Sequence, residues 1–276
     1  MRTIQRVILL IAAFAASAAL ASEGIAFLTN VKGEVAVDAN TRPAVLAELT
    51  RGQKIILGKD AHAAVMFIAT GKEYVLRGPA DYVVKDTEIS ASSGVPPVTR
   101  NTEWRASNKV LVQVAQTSAA SVRMRSIPPP KVEPAARLIY PTAGNIATLQ
   151  PTLKWASPDP QAEVSLSVVG VEKPVLNAKA QGNAYKVPAK LKPDAEYTWV
   201  VSTASGEVGS GKFHTLPSEA VQRIEKRRPS DKADFSDRLL FALLLQEMGA
   251  TQEAREAWAK LAQERTDLPE LGALAR

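Results

Sequence analysis

The chain has no cysteine among its 276 residues. That excludes thiol catalysis, cysteine-based zinc sites, disulfide staples and a lipid-modified N-terminal cysteine. Histidine is scarce: His62 and His214 are the only two. No H-x-x-x-H or H-x-x-E spacing frames either, so the usual metal-ligand patterns are missing. Ser202, Ser205 and Ser210 lie among glycines, but no G-x-S-x-G occurs. The glycines of 206–211 lack the Lys-Ser/Thr ending of a phosphate-cradling loop, so this stretch reads as a hairpin. Aromatic residues make up 5% and the net charge is +6. There is no dense basic stripe with interleaved aromatics, so no nucleic-acid partner is expected. After residue 20 no apolar run is long enough to span a membrane. The expectation is a non-enzyme with no cofactor, no metal and no membrane span.

The N-terminus supplies the first positive signal. Met1, Arg2 and Arg6 form a short basic start, 7–20 is an uncharged apolar run, and Ala19-Leu20-Ala21 precedes Ser22. That order reads as a secretory signal peptide over 1–21, cleaved near Ala21. The mature chain is expected in the periplasm or outside the cell, and the compact Ala-rich leader points to a bacterium. Without disulfides, its stability must come from packed cores.

Residues 24–95 read as a small all-β unit, because short apolar strands alternate with turn residues. Lys32-Gly33, Gly52, Gly58, Thr70-Gly71 and Gly78-Pro79 punctuate it. Segment 63–68 is almost wholly apolar, which predicts cover on both faces. Hairpins of this kind close into a curved sheet or small barrel. Several pieces follow the order of a FecR-type domain of bacterial envelope proteins. They are Val31-Lys32-Gly33-Glu34-Val35, Leu49-Thr50-Arg51-Gly52-Gln53, Ala63-Ala64-Val65-Met66-Phe67 and Thr70-Gly71-Lys72-Glu73-Tyr74. The first unit resembles that domain, with Gln53 and Thr70 where the family more often carries acidic residues. The resemblance implies a β fold and a binding role, with no catalytic residues to carry over. Pro96-Pro97 is expected to end the compact part. Strands over 110–114 and 121–125 then trail, extending the unit to 22–127. Pro128-Pro129-Pro130 and Pro134 make 128–134 a stiff linker.

Residues 135–217 read as a β-sandwich. Leu153 and Trp155 alternate on one strand, and Val164, Leu166 and Val168 on the next. Trp155 and the corner Leu191-Lys192-Pro193 leading to Tyr197 resemble a fibronectin type III or related Ig-like domain. Such a fold implies a spacer or binding module.

Residues 218–276 read as helical. Ser218 is expected to cap a helix through Arg227, stopped by Pro229. Asp234 caps a second, running to Met248 and closed by Gly249, and Thr251 caps a third. Ala242, Gly249, Ala254 and Trp258 resemble one tetratricopeptide-like hairpin. Arg238 stands at the usual early aromatic position and Leu261 replaces a later small residue. The run 239–245 is apolar all round and needs cover on more than one side. Either the Ser218–Arg227 helix and the sandwich supply that cover, or a second subunit or partner repeat does.

The expected fold class is thus multi-domain and mainly β: a small FecR-like domain, an Ig/fibronectin-like sandwich and a short α-helical C-terminal region. The candidate interaction residues are Trp104, in the polar stretch Asn101-Thr102-Glu103-Trp104-Arg105, Leu240 and Leu244 in the apolar run, and Arg227 and Arg228 in the basic turn. Trp155, Trp199 and Trp258 fit core positions. Asp81, Asp86 and Glu88 read as a solvated turn, with a carboxylate pair for glycoside hydrolysis as the alternative. The functional expectation is an exported binding or scaffold protein of the cell envelope that recognises a protein partner, with homodimerisation through the helical end as one route. A glycan- or wall-polymer-binding accessory protein and a sensory input subunit for a membrane-bound partner are the rival readings.

Overall fold

A computed structural model describes residues 24–102, 136–230 and 232–276. The signal segment, Trp104, the trailing strands over 110–114 and 121–125, and the 128–134 linker lie outside the described residues. The described chain is mainly β, with two largely antiparallel β units and a helical C-terminal region.

In the first unit, β1 (Ala26–Lys32), β3 (Glu48–Leu49), β5 (His62–Phe67), β6 (Lys72–Arg77) and β9 (Val98–Asn101) form one sheet, ordered β3-β1-β5-β6-β9. The other contains β2 (Val35–Val37), β4 (Lys54–Leu57), β7 (Ala80–Val84) and β8 (Ile89–Ser93), ordered β2-β4-β7-β8. Strand alternation sets the inner faces: Ile55 and Leu57 on β4, and Ala80, Tyr82 and Val84 on β7, are buried. β5 is buried on both faces from Ala63 to Phe67, as its unbroken apolar run predicts. Pro96-Pro97 does not end the unit. The chain continues as β9 and pairs with β6 at the sheet edge. A proline pair is compatible with that, because it precedes the strand and withholds no ladder hydrogen bond.

The second unit packs β10 (Arg137–Tyr140), β12 (Thr152–Ala156) and β15 (Ala184–Lys186) against a five-stranded sheet. That sheet holds β11 (Asn145–Ile146), β13 (Gln161–Val168), β14 (Leu176–Gln181), β16 (Glu196–Thr203) and β17 (Gly206–Thr215), ordered β11-β17-β16-β13-β14. Leu153, Trp155, Val164, Leu166, Tyr197, Trp199 and Phe213 fill its own closed core. The Tyr197 hydroxyl accepts a 2.9 Å hydrogen bond from the backbone N–H of Lys192, five residues upstream. That bond ties the start of β16 to the corner that precedes it. The Trp199 indole donates to the Pro141 carbonyl at 2.8 Å.

The helices are α1 (Ser218–Arg227), α2 (Phe235–Glu247), α3 (Thr251–Glu264) and α4 (Pro269–Leu274). Ser218 and Thr251 are first helical residues and not caps; Pro217 and Ala250 take the cap positions. Asp234 does sit at the α2 cap but makes no side-chain cap bond. α4 was not anticipated; Pro269 opens it, where a missing N–H costs nothing. Gly249 closes α2 at φ +72°, a region glycine enters without penalty. It also faces Asn145, and a Cβ there would lie 2.8 Å from the Asn145 amide nitrogen.

The apolar run is covered within the chain. Leu239, Leu240, Ala242, Leu243, Leu244 and Leu245 are all buried, in one core with β1, β5, Ile224 of α1, and Ala254, Trp258 and Leu261 of α3. The cover comes from the first β unit, and not from the sandwich as expected. The sandwich has sealed its own core and lends only Ala147 and Leu216 to this one. Leu240 and Leu244, 4% and 0% exposed, are core residues and not a free docking surface. Among the described residues no helix is long and apolar enough to cross a membrane.

Leu243→Ala should destabilise the protein by about 2–5 kcal/mol in denaturant unfolding. Hydrogen exchange should show protection lost together in α2, β1 and β5. Loss confined to the helices would mean the hairpin folds apart from the β unit.

Candidate interaction site

The helical region is bonded to both β units through polar side chains placed by strand register. On the first unit, Glu73 of β6 lies opposite Met66 on one side and Arg100 of β9 on the other. Its side chain is fully buried. It accepts from the Thr29 hydroxyl at 2.6 Å and from Arg100 Nε at 2.9 Å, with a further contact to Arg100 Nη2. Arg100 then reaches α2, donating to Asp237 at 2.8 Å and to the Ser236 hydroxyl at 3.0 Å. Burial alone would lower the Arg100 pKa; hydrogen bonds to Asp237 and Glu73 outweigh it and raise the pKa. Further along, Glu270 of α4 accepts from the Val45 N–H at 2.9 Å, and Arg265 donates to Asn30 at 2.9 Å and to the Val31 carbonyl.

On the second unit, Glu253 of α3 accepts from the Tyr140 hydroxyl at 2.7 Å and the Ala147 N–H at 2.8 Å. Burial, and the Glu253 charge next to it, push the Tyr140 phenol far up. Gln252 accepts from Thr142 N–H at 3.1 Å and donates to the Ile139 carbonyl, while Asn145 donates to the Met248 carbonyl at 2.9 Å.

The candidate interaction residues divide between two recesses. Leu240, Leu244 and Arg227 line one of about 250 Å³ with Arg100, Thr102 and Phe241. Arg228 lines the other, pairs with Glu225 at 2.8 Å and stacks its guanidinium 5.4 Å from the Phe241 ring centre. Trp104 lies outside the described residues, two positions beyond Thr102. Trp155, Trp199 and Trp258 are core residues, at most 1% exposed. Asp86 and Glu88 form exposed pairs with Arg51 and Lys85. His214 stands 3.6 Å from Asp194. Among the described residues no group of three or more metal-ligating side chains converges.

A third recess carries chemistry that sequence reading missed. Register makes Lys32 of β1, His62 of β5 and Arg77 of β6 lateral neighbours on one sheet face. Adjacent strands lie about 4.8 Å apart, so the row spans roughly 10 Å. Like charges in such a row are unfavourable to one another. His62 and Arg77 line a recess of about 520 Å³ with Asn30, Asp60, Asp234 and Ser236. Burial, then the charges of Lys32, Arg265 and Arg77, hold the His62 imidazole below its ordinary 6.5.

The second unit offers a polar sheet face. Gln161, Glu163, Lys179, Gln181, Ser202 and Thr203 line a shallow depression of about 740 Å³. Neither protein-family models nor curated proteins match this sequence.

Arg100→Ala should cost about 3–5 kcal/mol, because the buried Glu73 carboxylate loses its cation. Glu73→Leu combined with Arg100→Met should recover most of that loss in the same unfolding assay.

Acid should destabilise the fold in two windows. The folded His62 pKa lies below the unfolded 6.5. The unfolded chain therefore binds the proton first, and stability falls as pH drops below about 6.5. Hydrogen bonds from Arg238 and Arg265 lower Glu264 and Asp267 in the same sense, so a second loss comes near the carboxylate range. His62→Asn should flatten the first window and leave the second in a pH series of thermal melts.

Proposed function

We propose that the chain is an exported, non-enzymatic binding and scaffold protein of the bacterial cell envelope. In this reading the first unit is FecR-like, the second Ig/fibronectin-like, and the helical end a single tetratricopeptide-like hairpin. The observation that carries the scaffold role is the double grip of the helices. Arg100 joins the first unit to α2, and Glu253 joins α3 to the second. A body built that way holds two recognition modules at a set spacing and angle. Partner recognition then falls to the β surfaces, because the apolar face of the hairpin is used inside the chain. The signal-like N-terminus supports export.

A wall-polymer reading has one observation in its favour. The outer face of β13, β14 and β16 carries amide, hydroxyl and charged groups such as Gln161, Ser165, Asn177 and Lys179 along a shallow trough. Hydrogen-bonding groups in that density suit hydroxyl-rich polymers.

Cell fractionation with N-terminal sequencing tests export, and photo-crosslinking from position 179 tests recognition. The expected result is a processed periplasmic chain that yields one discrete crosslinked envelope protein. Sedimentation with purified wall sacculi, lost on Ser165→Arg, would select the polymer reading. An unprocessed cytoplasmic chain would remove both.

A further inference from the structure

We infer that the row Lys32, His62 and Arg77, with the first turn of α2, forms a binding site for a phosphate group. This goes beyond the scaffold reading and does not rest on it. The row brings three nitrogen donors together from strands 30 and 15 residues apart in sequence. Lys32 and Arg77 are exposed, and neither forms a salt bridge with a described residue. Arg77 lines the recess; Lys32 stands beside His62 on the neighbouring strand, and part of its charge acts on Asp267.

The opposite wall is the start of α2. Asp234, Phe235 and Ser236 line the recess, and no side chain caps that helix. Uncapped N–H groups and the positive end of the helix dipole favour an oxyanion there. Arg77 offers a planar fork for two oxygens, and Lys32 a point charge. His62 adds a donor once protonated. A tetrahedral oxyanion has acceptors in enough directions to meet both walls. The recess, at about 520 Å³, is larger than a bare phosphate. It leaves room for the group that a phosphate ester carries.

The surrounding charges are largely committed elsewhere. Arg100 is held by Glu73 and Asp237, and Arg265 by Asp267 at 2.7 Å. Asp234 lies 3.7 Å from Arg100 and is 81% exposed. Asp60 is exposed at the rim and opposes the ligand. At the imidazole itself the acting charges are Lys32, Arg265 and Arg77, all positive. A bound anion reverses that field and raises the affinity of His62 for its proton.

The chain's two histidines make the test direct, because His214 in the second unit is an internal reference. The full chain is titrated with inorganic phosphate while both imidazole rings are followed by NMR across about pH 5–8. Saturable movement of His62 with a raised pKa, and a still His214, is the expected result. Lys32→Gln with Arg77→Gln should weaken binding by at least about tenfold per lost charge-assisted bond. Both residues are exposed, so unchanged His214 signals and melting temperature verify that this variant is folded. Vesicles of phosphatidylglycerol against phosphatidylcholine distinguish the source. Response to phosphatidylglycerol alone, lost in the double variant, assigns the group to a lipid headgroup. Response to inorganic phosphate assigns it to a free or soluble ester. A His62 that answers neither probe, or a double variant that answers as the parent does, overturns the inference.

Discussion

The apolar run 239–245 cannot be left wet on any side, and the architecture follows from that. One buried Leu contributes about 1.5–3 kcal/mol, so a helix carrying several of them in every direction needs walls all round. α1 and α3 supply two of these walls, and the first β unit supplies another. That demand propagates into the sheet. A β unit with one solvated face would alternate apolar and polar residues, but β5 is apolar from Ala63 to Phe67 because its outer face is also an inner one. The helical end and the first unit therefore share a single core, although about 115 residues of sequence separate them.

Hydrophobic cover has no preferred direction, so it does not fix how a helix lies on a sheet. Directed bonds do. Arg100 bridges a buried carboxylate on β6 and the first turn of α2; Glu270 takes a backbone N–H from the first unit; Glu253 takes one from the second. Each would leave a buried polar group unpaired if the helices slid by one turn. The polar contacts act as register pins on an apolar joint, and they make the spacing of the two β units a property of the helices. Gly249 is part of the same joint, because its bare Cα lets Asn145 approach the end of α2.

Much of this was legible from residue order. Glycine turns and period-two alternation marked most strands, the corner before Tyr197 marked the sandwich, and the doubly apolar 63–68 announced a second cover. The identity of that cover was not legible, because an apolar run carries no address. β9 was missed because Val98-Thr99-Arg100-Asn101 is polar and follows two prolines, and its Arg100 has meaning only beside Glu73. Glu73 itself reads as a surface residue in Lys72-Glu73-Tyr74. Lys32, His62 and Arg77 are unrelated in sequence and become neighbours only through strand register. Pairwise register is the one level of description that local pattern does not contain.

The bond from Val45 to Glu270 closes a loop of 225 residues. Its consequence concerns time. A ribosome that has reached residue 230 has made both β units but neither α2 nor α4. The outer face of β1 and β5 is then bare, and Glu73 lacks the α2 groups that complete its bridge through Arg100. The first unit is made before the helices it packs against and is among the last parts able to reach its native packing. Contacts so distant in sequence are slow to form, so the chain emerges from synthesis still open.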